Sequence, residues 1–416
     1  MSLLTSAATK SSSRLDSVDL LRGLVMVLMA LDHTRDFFHT GPFDDGFVLN
    51  PSKTTIPLYF TRWITHFCAP VFVFLAGTGA FLSTTRGKLK RDLSWFLLTR
   101  GLWLVLLELT WVRWAGWSFA IDLHQHWGNV IWAIGWSMVA LAALIHLPIW
   151  AVTTFGLVII AGHNALDPLR PRDFGPLAWL WRILHEGGSF EIASGLRLGA
   201  GYPLLPWIGV MAAGYGFGTV MLREPAQRQR WLLRVGLNLV VVFFLLRFSD
   251  LYGDAKSWKS QPTGFLTLLS MLDCTKYPPS LCYLLMTLGP SAIILALLDR
   301  AVQPGSPPAA GGEGRGEEGR LASLLRPILV FGRVPLFYYL LHLPLIHGLA
   351  VAVNAIRFGH ANWLYGTAPA KPPPDAGFDL PIVYLAWIIV VILLYPACQW
   401  FADLKRRRRD AWLSYL

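Results

Sequence analysis

Apolar residues occur in long, nearly continuous runs, each closed by a short polar or basic segment. A helix needs roughly 17–25 mostly apolar residues to cross a bilayer. Ten stretches meet that length, at about 16–38, 57–83, 92–113, 128–146, 148–165, 203–222, 231–248, 279–300, 326–353 and 380–403. Only Leu147-Pro148 divides the fourth from the fifth. The pattern predicts an all-α polytopic membrane protein, a bundle of about ten transmembrane helices forming one domain over residues 1–416. Between the eighth and ninth runs, residues 303–320 (QPGSPPAAGGEGRGEEGR) are rich in Pro, Gly and Glu and read as a flexible cytoplasmic linker. Residues 163–202 hold Trp179, Trp181 and His185 in an amphipathic stretch that predicts an interfacial helix on the outer face. The polar, aromatic segment 249–278 is placed to shape a substrate mouth. No internal repeat accompanies the runs.

Composition agrees with the runs. Charged residues make up 15% of the 416, where a soluble domain carries about a quarter. The net charge of +11 does not point to nucleic acid, because the basic residues form short blocks between runs: Arg86 to Arg91, Arg223 to Arg230 and Lys405 to Arg409. Blocks of that kind mark cytoplasmic loops, and with ten spans they put both termini in the cytoplasm. The partner they imply is the bilayer of the cell's inner, cytoplasmic membrane. Arg22 interrupts the first run and no small-residue cleavage site follows it, so the segment is expected to stay as the first span. Cys68, Cys274, Cys282 and Cys398 lack paired spacing and read as reduced core residues.

Ionisable side chains inside spans are costly, so each is a functional candidate. The first run carries the densest set, with Arg14, Asp19, Arg22, Asp32, His33 and Arg35. Arg22 and His33 are about three turns apart, which sets them on one helix face some ~16 Å apart along the axis. Measured from the cytoplasmic ends, Glu108 and His342 lie about 24–26 Å in, near the depth of His33. His66 enters from the other side, at about 12–14 Å. Arg100 and Arg333 stay closer to the cytoplasm. An inner basic layer and an outer layer of His and Glu follow. Plainer roles exist for each: Arg14 and Arg22 as snorkelling anchors, His33 as a packed histidine, Glu108 as a structural partner of Arg113 or Arg100. His342 and His347, five apart, share a helix face poorly, and His124-Gln-His126 is a weak metal pattern, so no metal is expected. Lys276 to Ser280 (KYPPS) reads as the start of a helix.

The run RLDSVDLLRGLVMVLMALDH (Arg14–His33) resembles the opening of the transmembrane acyltransferase superfamily, in particular bacterial relatives of heparan-alpha-glucosaminide N-acetyltransferase, and also the acyltransferase-three family. Thr65–Leu82, Tyr202–Gly218 and Gly332–His342 resemble further blocks of the family. The resemblance implies a ten-helix enzyme that takes an acyl group, typically acetyl, from cytoplasmic acyl-CoA and delivers it to a sugar on the far side. It implies CoA binding by an arginine at Arg22 and transfer through a histidine at His33. In the lysosomal branch the position of His33 is Asn and the catalytic histidine lies a little later, which makes His39 a second candidate.

Residues and resemblance together give an acyl-CoA-dependent membrane acyltransferase. Arg14, Arg22, Arg100 and Arg333 are expected to bind the cofactor, and His33, His39, Glu108, His66 and His342 to furnish the catalytic set, with a saccharide or glycoconjugate as acceptor. A transporter or flippase of an anionic or saccharide substrate is the alternative, and a non-catalytic partner subunit a weaker one. The reading leaves room for a homodimer.

Overall fold

A computed structural model describes residues 15–40, 55–302, 325–366 and 371–416 apart from residue 409. Arg14 and the 303–320 linker lie outside the described residues. Among the described residues the chain is mostly helical, and eight helical segments are long and apolar enough to cross a membrane. It is a polytopic membrane protein. Two other predicted spans are helices outside that set. Helix α1 (Asp16–Phe38) has the length but carries charges, and α5 (Val130–Leu144) has only 15 residues.

Two predicted spans are each divided, in both cases at a proline. The second consists of α2 (Ile56–Thr65) and α3 (Cys68–Thr84), with a turn at His66 and Phe67 ahead of Pro70. The ninth consists of α12 (325–333) and α13 (Pro335–Phe358). Pro335 has no N–H to continue the ladder, and Val334 before it is turned out of the helical region, as residues preceding proline are. The third span, α4 (Lys90–Leu107), continues as a π-helix over Glu108–Ser118. The remaining spans are α6 (Ile149–Gly162), α8 (Leu204–Met221), α9 (Pro225–Ser249), α11 (Leu281–Ala301) and α14 (Leu380–Arg407). Pro148 precedes α6, so the two runs parted by Leu147-Pro148 are separate helices.

Small residues set the closest approaches between helices, as is common in membrane bundles. A Cβ on Gly101 of α4 would lie 2.5 Å from the Gly135 carbonyl oxygen of α5, and one on Gly135 would lie 2.6 Å from that of Gly101. At Gly332 a Cβ would lie 1.7 Å from the Asp19 carbonyl, which fixes α12 against the start of α1.

The expected amphipathic helix over 163–202 is not a continuous helix. Pro171, Gly175-Pro176 and Gly187-Gly188 break it into 3₁₀ turns, one turn of helix α7 (Ala178–Trp181) and a π turn (Arg182–Glu186). A hairpin of β2 (Gly188–Ala193) and β3 (Leu196–Ala200) follows. Strand β1 (Gln125–Gly128) pairs parallel with β3, giving a three-stranded sheet in the order β1-β3-β2. The all-α expectation is corrected to that extent. Helix α10 (Gly264–Leu272), capped by the Thr263 hydroxyl, occupies the segment read as a polar loop. All four cysteines are free and buried.

Candidate active site

Helix α1 runs past two cavities. Arg22, Met26 and Met29 line one of about 330 Å³. Asp32, His33 and Asp36 line the other, of about 560 Å³. The change falls between Met29 and Asp32, so a single helix supplies a cation to the first cavity and an imidazole to the second. Val130 and Tyr339 are lining residues of both.

The first cavity has an apolar interior, with Leu75, Leu97, Leu104 and Ile134 among its walls. Arg22, Arg100, Arg333 and Lys405 line it as well. Two of these cations already meet carboxylates: Arg22 Nη1 lies 2.9 Å from Asp19 and Arg333 Nη2 3.1 Å from Asp16. Arg22 also donates to the Gly332 carbonyl at 3.2 Å, tying α1 to α12. Arg100 donates to the Ser414 carbonyl at 2.8 Å, and Leu416 reaches the cavity wall. Three of the four expected cofactor-binding arginines therefore meet at one cavity, joined by Lys405, which sequence reasoning had placed only in a charge block.

His33 joins the wall of the second cavity to helix α13. Its Nδ1 lies 2.7 Å from Nε2 of His342, with the rings stacked at 4.9 Å. The protons follow from the partners. His342 Nδ1 is 2.6 Å from the Tyr339 carbonyl, which can only accept, so Nδ1 carries the hydrogen and Nε2 the lone pair. His33 must then donate from Nδ1, which leaves its Nε2 as a proton acceptor on the cavity wall. Trp117 sets its ring edge-on to His33 at 5.3 Å. His342 is fully buried, so the relay from carbonyl to His342 to His33 is held by packing.

Asp32 does not orient His33. Its Oδ1 accepts from Arg62 at 2.7 Å and from Thr65 at 3.0 Å. Around the same cavity stand Asp36, Arg113, Glu186 and Lys276. The Lys276 amine is pushed down to about 8, by burial first and then by Arg62, against the opposing pull of Asp32. The KYPPS segment leads into a helix rather than forming its first turn: Ser280 is the cap of α11, its hydroxyl accepting from Tyr283 N at 3.0 Å, and both prolines precede it. Its first two residues, Lys276 and Tyr277, are nonetheless part of the cavity wall. From sequence the KYPPS stretch was read only as a helix start, and Arg62 was not singled out at all. A lysine and an arginine next to apolar runs were a signal, but their convergence is tertiary.

The other expected members lie apart. Glu108 is buried, and its Oε2 accepts from Ile131 N at 3.2 Å at the start of α5, a favoured place for an anion. It pairs with neither expected arginine: Arg113 lines the second cavity and Arg100 the first. His66 sits at the turn between α2 and α3, where its carbonyl accepts from the Tyr283 hydroxyl at 2.7 Å, and it lines neither cavity. His39 ends α1, bridged to Phe378, also outside the lining of both. Burial and then Arg35 hold its imidazole below the usual range. His126 turns its ring nitrogens to the Leu109 and Leu123 carbonyls.

A basic, apolar-walled cavity that abuts a polar one beside a poised histidine suits the transfer of a group from an anionic carrier to a polar acceptor. A family model described as "Heparan-alpha-glucosaminide N-acetyltransferase, catalytic" matches residues 14–247, more than half of the chain. The chain belongs to that family. The heparan-alpha-glucosaminide N-acetyltransferase family implies acetyltransferase activity with acetyl-CoA as donor, so this is a multi-pass membrane protein of an acetyltransferase family. The matched region supplies His33, Arg22 and Arg100, while Lys276, Arg333, Tyr339 and His342 come from beyond it. No curated protein matches the chain.

The residues of the first cavity fit such a donor. Its cations suit the phosphates of a nucleotide carrier, and its apolar walls suit a thin arm ending in a thioester.

Proposed function

We propose that the protein is a ten-span acetyltransferase of the cell's inner membrane, with both termini in the cytoplasm and one transmembrane domain. It takes acetyl from cytoplasmic acetyl-CoA and passes it to a hydroxyl or amine of a saccharide-like acceptor on the outer side. The observation that carries this reading is His33 on the wall of a polar cavity that shares Val130 and Tyr339 with a cationic one. Arg22, Arg100, Arg333 and Lys405 hold the donor phosphates, and the thioester meets the acceptor at the shared wall. His33 Nε2 takes the acceptor proton as the new bond to the acetyl carbon forms and the carbon–sulfur bond breaks. The same proton then passes to the departing thiolate, which returns His33 to its neutral form. His342 and the Tyr339 carbonyl hold the reactive tautomer, and Lys276, Arg62 and Asp36 offer hydrogen bonds to the acceptor.

The test is purified protein in vesicles, given acetyl-CoA and a terminal glucosaminide, with free CoA and acetylated acceptor both measured. His33→Asn should abolish transfer and leave acetyl-CoA binding near the parent value, because a lost base removes help to the transition state alone. Full activity in His33→Asn beside a dead His39→Ala would move the chemistry to the end of α1. Transport of a substrate without release of CoA would replace the enzyme reading altogether.

A further inference from the structure

The end of α6 and the π turn before the hairpin bring together a set of groups that line neither of the two cavities and that acetyl transfer leaves unused. His163 opens the 3₁₀ turn His163–Leu166, Asp167 follows it, and His185 lies in the turn Arg182–Glu186. One ligand atom from each lies within 4.8 Å of the other two. Both histidines are only 2% exposed, yet none of their ring nitrogens meets a hydrogen-bond partner of good geometry. Leaving buried polar atoms unsatisfied is costly, so two such rings side by side call for a cause.

The surroundings are arranged as they are around metal ligands. The Asn164 amide donates to Asp167 Oδ2 at 2.9 Å and leaves Oδ1 turned to His185, 3.3 Å from its Nε2. Asn164 is itself fixed, because its Oδ1 accepts from Leu281 N at 2.8 Å. The Pro279 carbonyl approaches the His163 ring, and Trp181 packs edge-on against His185 at 5.0 Å. Ligating imidazoles and carboxylates are oriented by outer partners of this kind. Asp167 and His185 also line a cavity of about 230 Å³, which leaves room for a water as a fourth ligand.

We infer that His163, Asp167 and His185 form a binding site for a divalent transition metal of the zinc class. Two imidazoles and one carboxylate suit zinc, whereas calcium and magnesium take oxygen ligands. The metal ties the end of α6 to the segment that runs from His185 into Glu186, Gly187 and Gly188, all three on the wall of the outer cavity. Its role is to fix one side of the proposed acceptor site, with no part in moving the acetyl group. Binding is measured with the metal alone, so its outcome is independent of the acetyl-transfer reading.

The experiment strips full-length protein in detergent with a chelator, then titrates Zn²⁺ by calorimetry and measures bound metal by mass spectrometry. The result expected is one zinc per chain and a rise in melting temperature on zinc addition. His163→Ala and His185→Ala should each weaken binding at least tenfold and lose the rise, while His126→Ala should behave as the parent. Asp167→Asn keeps the shape of the ligand and gives a second loss-of-affinity variant should either alanine fail to fold. Replacing Zn²⁺ by Co²⁺ should give a visible ligand-field spectrum that changes in Asp167→Asn. Failure of the stripped parent to take up zinc, or equal affinity in Asp167→Asn and the parent, would overturn the site.

Discussion

The most discriminating perturbation of the proposed mechanism is His342→Ala, since it removes no atom that lines either cavity. His342 accepts from His33 Nδ1 at 2.7 Å and is pinned by the Tyr339 carbonyl at 2.6 Å. In the resting protein this is a hydrogen bond between neutral rings. Once His33 has taken a proton its Nδ1–H becomes a cationic donor, and the same bond is charge-assisted. Such bonds contribute about 1.5–3 kcal/mol, against about 1 kcal/mol for neutral pairs. Because the neutral bond is lost from the resting state as well, only the difference of about 0.5–2 kcal/mol falls on the barrier, and kcat should drop roughly two- to thirty-fold, each 1.4 kcal/mol being about a factor of ten. His33→Ala removes the base itself, for which about a hundred- to ten-thousand-fold is expected.

The assay is the initial rate of CoA release against acceptor concentration, run beside acetyl-CoA binding to show that the variant is folded. His342→Gln, whose amide oxygen can accept from Nδ1, should recover part of the loss. The double variant with His33→Ala should be no slower than His33→Ala alone, because an orienting group has nothing to orient once the base is gone. Losses that multiply in the double variant, or an unchanged kcat in His342→Ala, would refute the relay.

Three other substitutions test separate parts of the argument. Arg22→Ala should weaken acetyl-CoA binding about tenfold, the low end for a charge-assisted contact because Asp19 already shares the guanidinium, and Arg22→Lys should recover only part; calorimetry checks both, and parental affinity in the two would leave Arg22 as an orientation anchor. Lys276 carries its charge below about 8 and loses it above, so kcat/KM for a hydroxyl acceptor should fall as pH rises through that value. In Lys276→Arg the charge persists and that alkaline limb should disappear from the pH profile. Gly332→Ala should lower stability by about 1–3 kcal/mol, read as a drop in melting temperature in detergent, whereas Gly264→Ala, where a Cβ meets nothing within 4 Å, should not.

Much of the architecture was written in the apolar runs, because a bilayer imposes one length on every crossing helix. What they concealed were breaks within a run. Pro70 and Pro335 sit inside stretches whose mean hydropathy stays high, so a window tuned to composition passes over the turns at His66 and Val334. The sheet was hidden for a different reason. Its strands are four to six residues long, and β1 pairs with β3 some seventy positions away, which no local alternation could signal. At the site, α1 was legible because both its candidates lie on one helix, where spacing alone fixes their relation. The partner of His33 was not. Depth along separate spans put His342, Glu108 and His66 at comparable levels, but depth is one coordinate and rotation about each helix axis is another. Rotation turns His342 into contact with His33, turns Glu108 onto the start of α5, and leaves His66 packed against Tyr283.

The same distinction bears on the choice between His33 and His39. Sequence offers both, six residues apart on one element, and the resemblance supports either. A base for acyl transfer must reach the acceptor and the thioester at once, so it has to stand near the place where the two compartments adjoin. That place is marked by Val130 and Tyr339, and Tyr339 is also the residue whose carbonyl sets the tautomer of His342 and through it of His33. His39 is in the extended residue that ends α1, paired with Phe378, about 9 Å further along the axis by helical rise. It could meet an acceptor there, but a thioester would have to cross the whole polar cavity to join it, exposed to water throughout. An inner cavity walled by leucine and isoleucine protects a thioester from hydrolysis only as long as the reaction occurs at its boundary. Of the two histidines, only His33 lines the polar cavity and is tied through His342 to the Tyr339 carbonyl at the shared wall, and that is the ground on which it is proposed as the base.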